Sequence, residues 1–286
     1  MWKNIFFTYE VESTFEGAWQ QTLYLAALSG SRIKRLEYFD PSNPKKLDTS
    51  ARILTVQNAL QTLLDQTAEQ TGTKVPVALG GIDQEKLSEP GPPGHERIIE
   101  LAQRLKPVLI VMPTHGRQIL EHFLLDTLAE KVLQHCQVPI LSVRNPEPRE
   151  ITPFGYRRIV VACDFQPSCL SAIKTAQHLA ASSGAQLDVV HVLDFRLLPE
   201  FPGSQNIQDD QLVRLKKWCE DHEIQNASQT VEVGVPSTEI VHHADETNAD
   251  LIVVGSHGRS GLSHFLLGSV AEQVLRKANC PVLVVK

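Results

Sequence analysis

The sequence predicts an α/β protein made of two doubly wound domains, each with a parallel five-stranded sheet. Three observations carry this reading. The length of 286 residues suits two domains of ordinary size. The segments LIVMPTHGRQILEHFLLDTLAEKVL (109–133) and LIVVGSHGRSGLSHFLLGSVAEQVL (251–275) are identical at 15 of 25 positions, at a constant offset of 142. Each half alternates short β-branched runs with amphipathic stretches, the pattern of a parallel sheet covered by helices on both faces.

The repeat sets the boundaries. The first strands align at an offset of 154, pairing Ile5 with Ile159, Glu10 with Asp164, Ala18 with Ala172, Gly30 with Gly184 and Asp40 with Asp194. From Pro92/Gly234 to Arg144/Lys286 the offset is 142. The first half thus carries 12 extra residues between Asp40 and Pro92. The Pro/Gly-rich run GIDQEKLSEPGPPG (81–94) is read as the surface loop that takes most of them. Residues 1–144 form one domain and 156–286 the other. The connecting NPEPREITPFG (145–155) holds three prolines and reads as a semi-rigid linker.

In the second half IVVAC (159–163), LDVVHVL (187–193), TVEVGV (230–235), LIVVG (251–255) and PVLVV (281–285) read as strands. The stretch 168–183 puts Ile173, Ala176 and Ala180 on one helical stripe. Pro167 suits its first turn and Gly184 its left-handed end, a task Gly30 shares in the first half. Further helices begin near Pro236 and run from about Ser269 to Ala278. In the first half Ile53, Leu60, Leu63 and Leu64 mark a long amphipathic helix.

Composition excludes several classes. Hydrophobic residues make up 42% and charged residues 21%, which rules out wholesale disorder. No run of 18 uncharged apolar residues predicts a membrane span, and the start lacks the apolar core of a signal peptide. Residues 1–144 hold 15 Lys/Arg against 16 Asp/Glu, and residues 145–286 hold 12 against 17. Neither half is a basic nucleic-acid binder. Cys136, Cys163, Cys169, Cys219 and Cys280 are odd in number and form no CxxC, so reduced thiols in a cytoplasmic protein are expected. The 11 histidines show no spaced Cys/His set for zinc, and adjacent His242 and His243 point to different helix faces.

The candidate anion site is the loop after LIVVG. It reads Gly255-Ser-His-Gly258-Arg259-Ser-Gly261 and ends in Gly268-Ser269-Val270-Ala271-Glu272, opening a helix. Glycines let backbone N–H groups approach an anion, and a helix N-terminus adds a favourable dipole. The bland alternative is that Ser269 and Glu272 form a capping box and the glycines only turn the chain.

The spacing Gly255, Gly258, Gly268, Ser269 (Gly, two residues, Gly, nine residues, Gly-Ser) resembles the nucleotide signature of the universal stress protein family. VVACDFQPSCLSAIKTA, with Asp164 and Ser168, resembles the end of that family's first strand and its following helix. The resemblance covers both halves, and the whole chain looks like a tandem member. It implies a Rossmann-like fold of the adenine-nucleotide-binding type and a ligand such as ATP, ADP or AMP, with Mg2+ accompanying it. Asp164 would contact the ribose or adenine, Ala162 and Val192 would frame the base, and Val254 and Gly255 would lie along the nucleoside. Gly258, Gly268, Ser269 and Val270 would hold phosphates, with Arg259 in reach of one. Phe165 stands where many members have a small residue and is expected to narrow the mouth of the site. The family's last strands pair across a two-fold axis, so ILSVR (140–144) and VLVVK (282–286) are expected to join the domains as an intrachain pseudo-dimer. Whole chains could pair further.

The first half spoils the loop. Pro113, Asp126, Thr127 and Glu10 replace Gly255, Gly268, Ser269 and Asp164, and Gly116 survives. Pro113 lacks an N–H. A charge at Asp126 would repel a phosphate by about 4 kcal/mol at ~4 Å and an effective dielectric near ~20. Residues 1–144 are expected not to bind ATP. The chain then reads as a cytoplasmic, stress-response nucleotide sensor. Two other readings stand beside it: a slow ATP hydrolase, for which no base–metal pair is evident, and a nucleotide-independent interaction module, suggested by the 81–94 loop. Protein partners are not specified by the sequence.

Overall fold

Runs such as Ile159-Val160-Val161 carry no polar side, and all three side chains are fully buried. A strand of this kind is stable only between two helical layers. The computed structural model describes residues 2–10, 14–39, 49–71, 79–90, 94–105, 108–115, 128–145, 155–197, 204–256 and 267–286. The chain divides into two units, Met1–Gly155 and Tyr156–Lys286.

In the first unit the order is β1 (Asn4–Glu10), α1 (Glu16–Ser29), β2 (Arg32–Phe39), α2 (Thr49–Thr71), β3 (Gln84–Pro90), α3 (His95–Arg104), β4 (Val108–His115), α4 (Leu128–His135) and β5 (Ile140–Asn145). Its strands lie in the order β3-β2-β1-β4-β5, every pair parallel. The second unit runs β6 (Arg158–Ala162), α5 (Pro167–Ser183), β7 (Gln186–Asp194), α6 (Ser204–Asp221), β8 (Ala227–Gly234), α7 (Pro236–Glu246), β9 (Leu251–Gly255), α8 (Ser269–Lys277) and β10 (Val282–Val285). Its order, β8-β7-β6-β9-β10, is the same topology, again all parallel.

Helix ends follow the local signals. Pro167 occupies the first turn of α5, where its missing N–H costs nothing. Gly184 ends α5 at φ 74°, and Gly30 ends α1 at φ 63°. Their amides reach back to the carbonyls of Ala180 and Ala26. Ile173, Ala176 and Ala180 are buried, as are Ile53, Leu60 and Leu64 on α2, whereas Leu63 is 36% exposed. His243 is buried and His242 is exposed, on different faces of α7.

Register confirms the duplication and corrects one boundary. Ile5 pairs with Ile33 and Ile159 with Leu187, an offset of 154 on both strands. Ile110 pairs with Ile140 and Ile252 with Val282, an offset of 142. Ile33 faces Gln84 while Leu187 faces Ala227, so β3 and β8 are related by 143. Eleven of the twelve extra residues therefore precede β3, between β2 and Gln84. Half of the segment expected as a long loop at 81–94 is instead the edge strand β3. Part of the inserted length goes to α2, which has 23 residues against 18 in α6.

The two cores are filled differently. The first unit buries an aromatic block: Phe7 stacks on Tyr9 at 5.0 Å, Tyr9 meets Phe15 at 4.3 Å, and Phe7 meets Trp19 at 5.3 Å between ring centroids. The second unit buries aliphatic and small residues around β6 and α5.

Candidate functional site

Adjacent strands β6 and β9 mark the switch point of the second sheet. From β6 the chain passes through α5 to β7 on one side, and from β9 through α8 to β10 on the other. Helices α5 and α8 both begin at the carboxyl edge there, so two N-terminal dipoles face the same crevice.

The expected site residues that are described lie along this edge. Ala162 pairs with Val190 on the last rung of β6, and the Cys163 N–H extends the ladder to the Val190 carbonyl at 2.8 Å. Val192 and Val254 are buried. Gly255 ends β9 opposite Val285. The next residue, Ser256, donates to the Val285 carbonyl at 2.8 Å and accepts the Gly268 N–H at 2.7 Å. That second bond clamps the start of α8 to the end of β9. Gly258 and Arg259 lie outside the described residues, as do His257, His264 and the Ser168 side chain.

The capping-box alternative is not realised. Gly268, at φ −64° and ψ 142°, is the N-cap, and no side chain caps the helix. The Gly268 carbonyl accepts the Glu272 N–H at 2.9 Å, while the Glu272 carboxylate pairs with Arg276 at 2.7 Å. Of the N–H groups that lack an intrahelical acceptor, Gly268's is taken by Ser256. Those of Ser269, Val270 and Ala271 point out of the helix start. Ser269 and Val270 are exposed. A helix opening of this kind can take an anion.

Asp164 stands just beyond β6. Its Oδ1 accepts the Gln166 N–H at 3.0 Å, a turn that fixes the carboxylate at the head of α5. Phe165 follows at φ 64°, an unfavourable conformation for a bulky side chain. Its ring lies 4.4 Å from His191 and 6.3 Å from Trp218, and the Arg214 guanidinium sits 4.1 Å above it. His191 Nδ1 donates to the Cys163 carbonyl at 2.8 Å. Phe165 is thus pinned against β7 and α6. Nothing in the sequence pattern singled out His191, Arg214 or Trp218, because they converge from separate elements.

Under α7, on the face of the same sheet that this helix covers, a charge network joins three strands and the helix. Asp188 accepts from Arg158 at 2.7 Å and from Ser228 at 2.5 Å. His243 stands 3.6 Å from Asp188 and 3.2 Å from Glu232. Burial works against the Asp188 charge, but its partners His243, Ser228 and Arg158 bring its pKa to about 2. Asp188, against the opposing effect of burial, raises the His243 pKa, with Glu232 adding to it.

In the first unit the equivalent edge is occupied by protein. Glu10 ends β1, and Pro113 lies within β4 opposite Val143. Gly116, Asp126 and Thr127 lie outside the described residues. At the offset of 154, Tyr9 and Phe15 stand for Cys163 and Cys169, Trp19 for Ile173 and Glu37 for His191. Buried Glu37 accepts from Tyr9 at 2.8 Å, Thr49 at 2.9 Å and Ser88 at 3.0 Å, and pairs with Lys86. Burial pulls its pKa up, yet hydrogen bonds from Lys86, Tyr9, Thr49 and Ser88 outweigh this and hold it below the usual carboxylate range. The repeat alignment contained the signal for this filling, in the exchange of small residues for rings.

Among the described residues no helix is long and apolar enough to cross a membrane, and no three His, Cys, Asp or Glu side chains could share a metal ion.

A universal stress protein of Methanocaldococcus jannaschii is 36% identical over 141 residues, covering 46% of this chain and 82% of its own. Universal stress protein A homolog 1 of Coxiella burnetii is 34% identical over 139 residues, covering 46% and 96%. A solved universal stress protein of Archaeoglobus fulgidus matches 99% of this chain and 98% of its own with TM-score 0.66 at 21% identity, a likeness of fold alone. The universal stress protein family model matches twice, over residues 1–144 and 155–286. The chain belongs to the universal stress protein family and carries its domain in tandem.

Proposed function

We propose that residues 156–286 bind ATP or a related adenine nucleotide, and that the protein acts as a cytoplasmic nucleotide-dependent regulator in the stress response. The observation that carries this is the open start of α8, capped by Gly268 rather than by a side chain. Phosphate oxygens there would accept from the Ser269, Val270 and Ala271 amides and from the Ser269 hydroxyl. Gly258 and Arg259 belong to the same loop. The Asp164 carboxylate would accept from ribose hydroxyls, while Ala162, Val192, Val254 and Gly255 line the nucleoside side. Residues 1–144 serve as a degenerate domain, since Tyr9, Phe15, Trp19 and Glu37 fill the matching edge.

Titration calorimetry of the purified chain with ATP, ADP and AMP tests this reading. One nucleotide per chain is expected. Absence of binding to all three would overturn it.

A further inference from the structure

Residues Cys163 and Cys169 flank the Asp164 loop, one at the end of β6 and one in the first turn of α5. Their Sγ atoms lie 3.8 Å apart, and both side chains are buried. The contact is built by the fold. The equivalent pair in the first unit, Tyr9 and Phe15, also touches, at 4.3 Å between ring centroids. The second unit has exchanged that aromatic pair for two thiols.

We infer that Cys163 and Cys169 are a redox modification site, forming a reversible disulfide when a small hydroperoxide reaches them. The Cys169 thiolate attacks the peroxide O–O bond, giving a sulfenic acid and releasing hydroxide, which leaves as water with a proton. The Cys163 sulfur then attacks the Cys169 sulfur, the S–O bond breaks, and a second water departs with the Cys163 proton. Two thiols and one hydrogen peroxide thus yield one disulfide and two waters. The roles follow from position. Cys169 sits in the first turn of α5, where the helix dipole favours a thiolate, and its contact with Cys163 lowers its pKa, while the same contact, together with burial, raises that of Cys163. Cys219 on α6 is a third buried thiol, and burial pushes its pKa up to about 11, so it stays protonated. Burial also selects the oxidant: hydrogen peroxide enters where a bulky glutathione disulfide does not.

Closing the gap from 3.8 Å to a bond of about 2.05 Å draws the first turn of α5 toward β6. The intervening residues include Asp164, tied to Gln166, and Phe165, held at φ 64°. The bond therefore displaces the Asp164 carboxylate. This consequence rests on the nucleotide reading above; the disulfide does not.

The test treats the full reduced chain with hydrogen peroxide, alkylates it and digests it with trypsin. Residues 159–174 form one tryptic peptide holding both cysteines and no other. That peptide is expected to lose two hydrogens and to resist alkylation until reduced. Cys219→Ser should leave this unchanged, and Cys169→Ser should abolish it. Glutathione disulfide should give at least about tenfold slower conversion. Full alkylation after peroxide, a sulfinic acid at Cys169 beside a free Cys163, or a bond to Cys219 would each overturn the inference. In the same samples ATP affinity should fall about tenfold on oxidation and recover with dithiothreitol. A disulfide with unchanged ATP affinity would refute the coupling. A disulfide in a chain that never binds nucleotide would refute the nucleotide reading and leave the modification site standing.

Discussion

Replacing Gly268 by Asp separates the structural role of the α8 start from its proposed ligand role. Gly268 sits at φ −64° and ψ 142°, which any L-residue can adopt, so the substitution adds no backbone strain. An Asp at an N-cap is favourable: its carboxylate accepts from the following amides and complements the helix dipole, with a gain of a few tenths to about 1 kcal/mol. Stability should therefore hold or rise slightly. The ligand should suffer. A carboxylate at ~4 Å from a phosphate, at an effective dielectric near ~20, repels it by about 4 kcal/mol, roughly a thousandfold in affinity. Gly268→Asn is the control. It caps as well as Asp and carries no charge, so its affinity should exceed that of the Asp variant by at least about a hundredfold. Calorimetry with ATP reads the affinity, and urea unfolding reads the stability. Equal losses in both variants would refute the electrostatic reasoning. So would an Asp variant that binds ATP like wild type, or one that loses several kcal/mol of stability.

Four further outcomes are expected. Phe165→Ala keeps the strained φ 64° but loses the ring's contacts with His191, Trp218 and Arg214, costing about 2 kcal/mol. Phe165→Gly should recover about 1 kcal/mol of that, because glycine adopts this conformation freely, and urea midpoints in the order wild type, Gly, Ala would show it. The Asp188 pKa is lowered to about 2, so its contribution is complete above the unfolded-state value and disappears as pH falls toward 2. It amounts to about 2 kcal/mol, and Asp188→Asn should flatten the acid limb of the stability profile. The folded-state pKa of His243 is raised, so its contribution is full below its unfolded value and is lost as pH rises through the folded value; His243→Gln should flatten that limb in the same urea titrations. Tyr9→Phe removes one donor from buried Glu37 and should lower stability by about 1–2 kcal/mol without touching the second unit's ligand binding.

How much of this the sequence declared depends on the range of the interactions involved. Helix α5 was legible because Pro167 and Gly184 act within a few residues of themselves. Strand β6 was legible because both its faces are buried. Strand β3 was not. Gln84-Glu85-Lys86-Leu87-Ser88-Glu89-Pro90 has one large apolar residue, since an edge strand is held by backbone bonds to β2 and keeps charged side chains in solvent. Its only sequence signals, Pro and Gly at its flanks, read as a loop. The Ser269-x-x-Glu272 spacing also reads falsely as a capping box. The Gly268 amide is anchored by Ser256 across the loop, so the helix begins one residue earlier and Glu272 turns to Arg276. Glu37 was invisible for the same reason as His191: its partners Tyr9, Thr49 and Ser88 lie on three other elements.

The duplication kept the backbone and changed what fills it. The strands β1 and β2 share their register with β6 and β7, so the pairs Tyr9/Phe15 and Cys163/Cys169 occupy equivalent places. Two aromatic rings hold far more volume than two thiols. In the first unit that volume, with Trp19 and the Glu37 network, closes the carboxyl edge of the sheet with protein groups that satisfy one another. In the second unit the same positions, beside Asp164, Gly255 and the start of α8, carry less side-chain volume. The second half also carries the larger negative charge, 12 Lys/Arg against 17 Asp/Glu over residues 145–286. Attraction of an anion by net charge is therefore ruled out. Any affinity there must come from amides and a helix dipole aimed at one point, which a single carboxylate at Gly268 suffices to cancel.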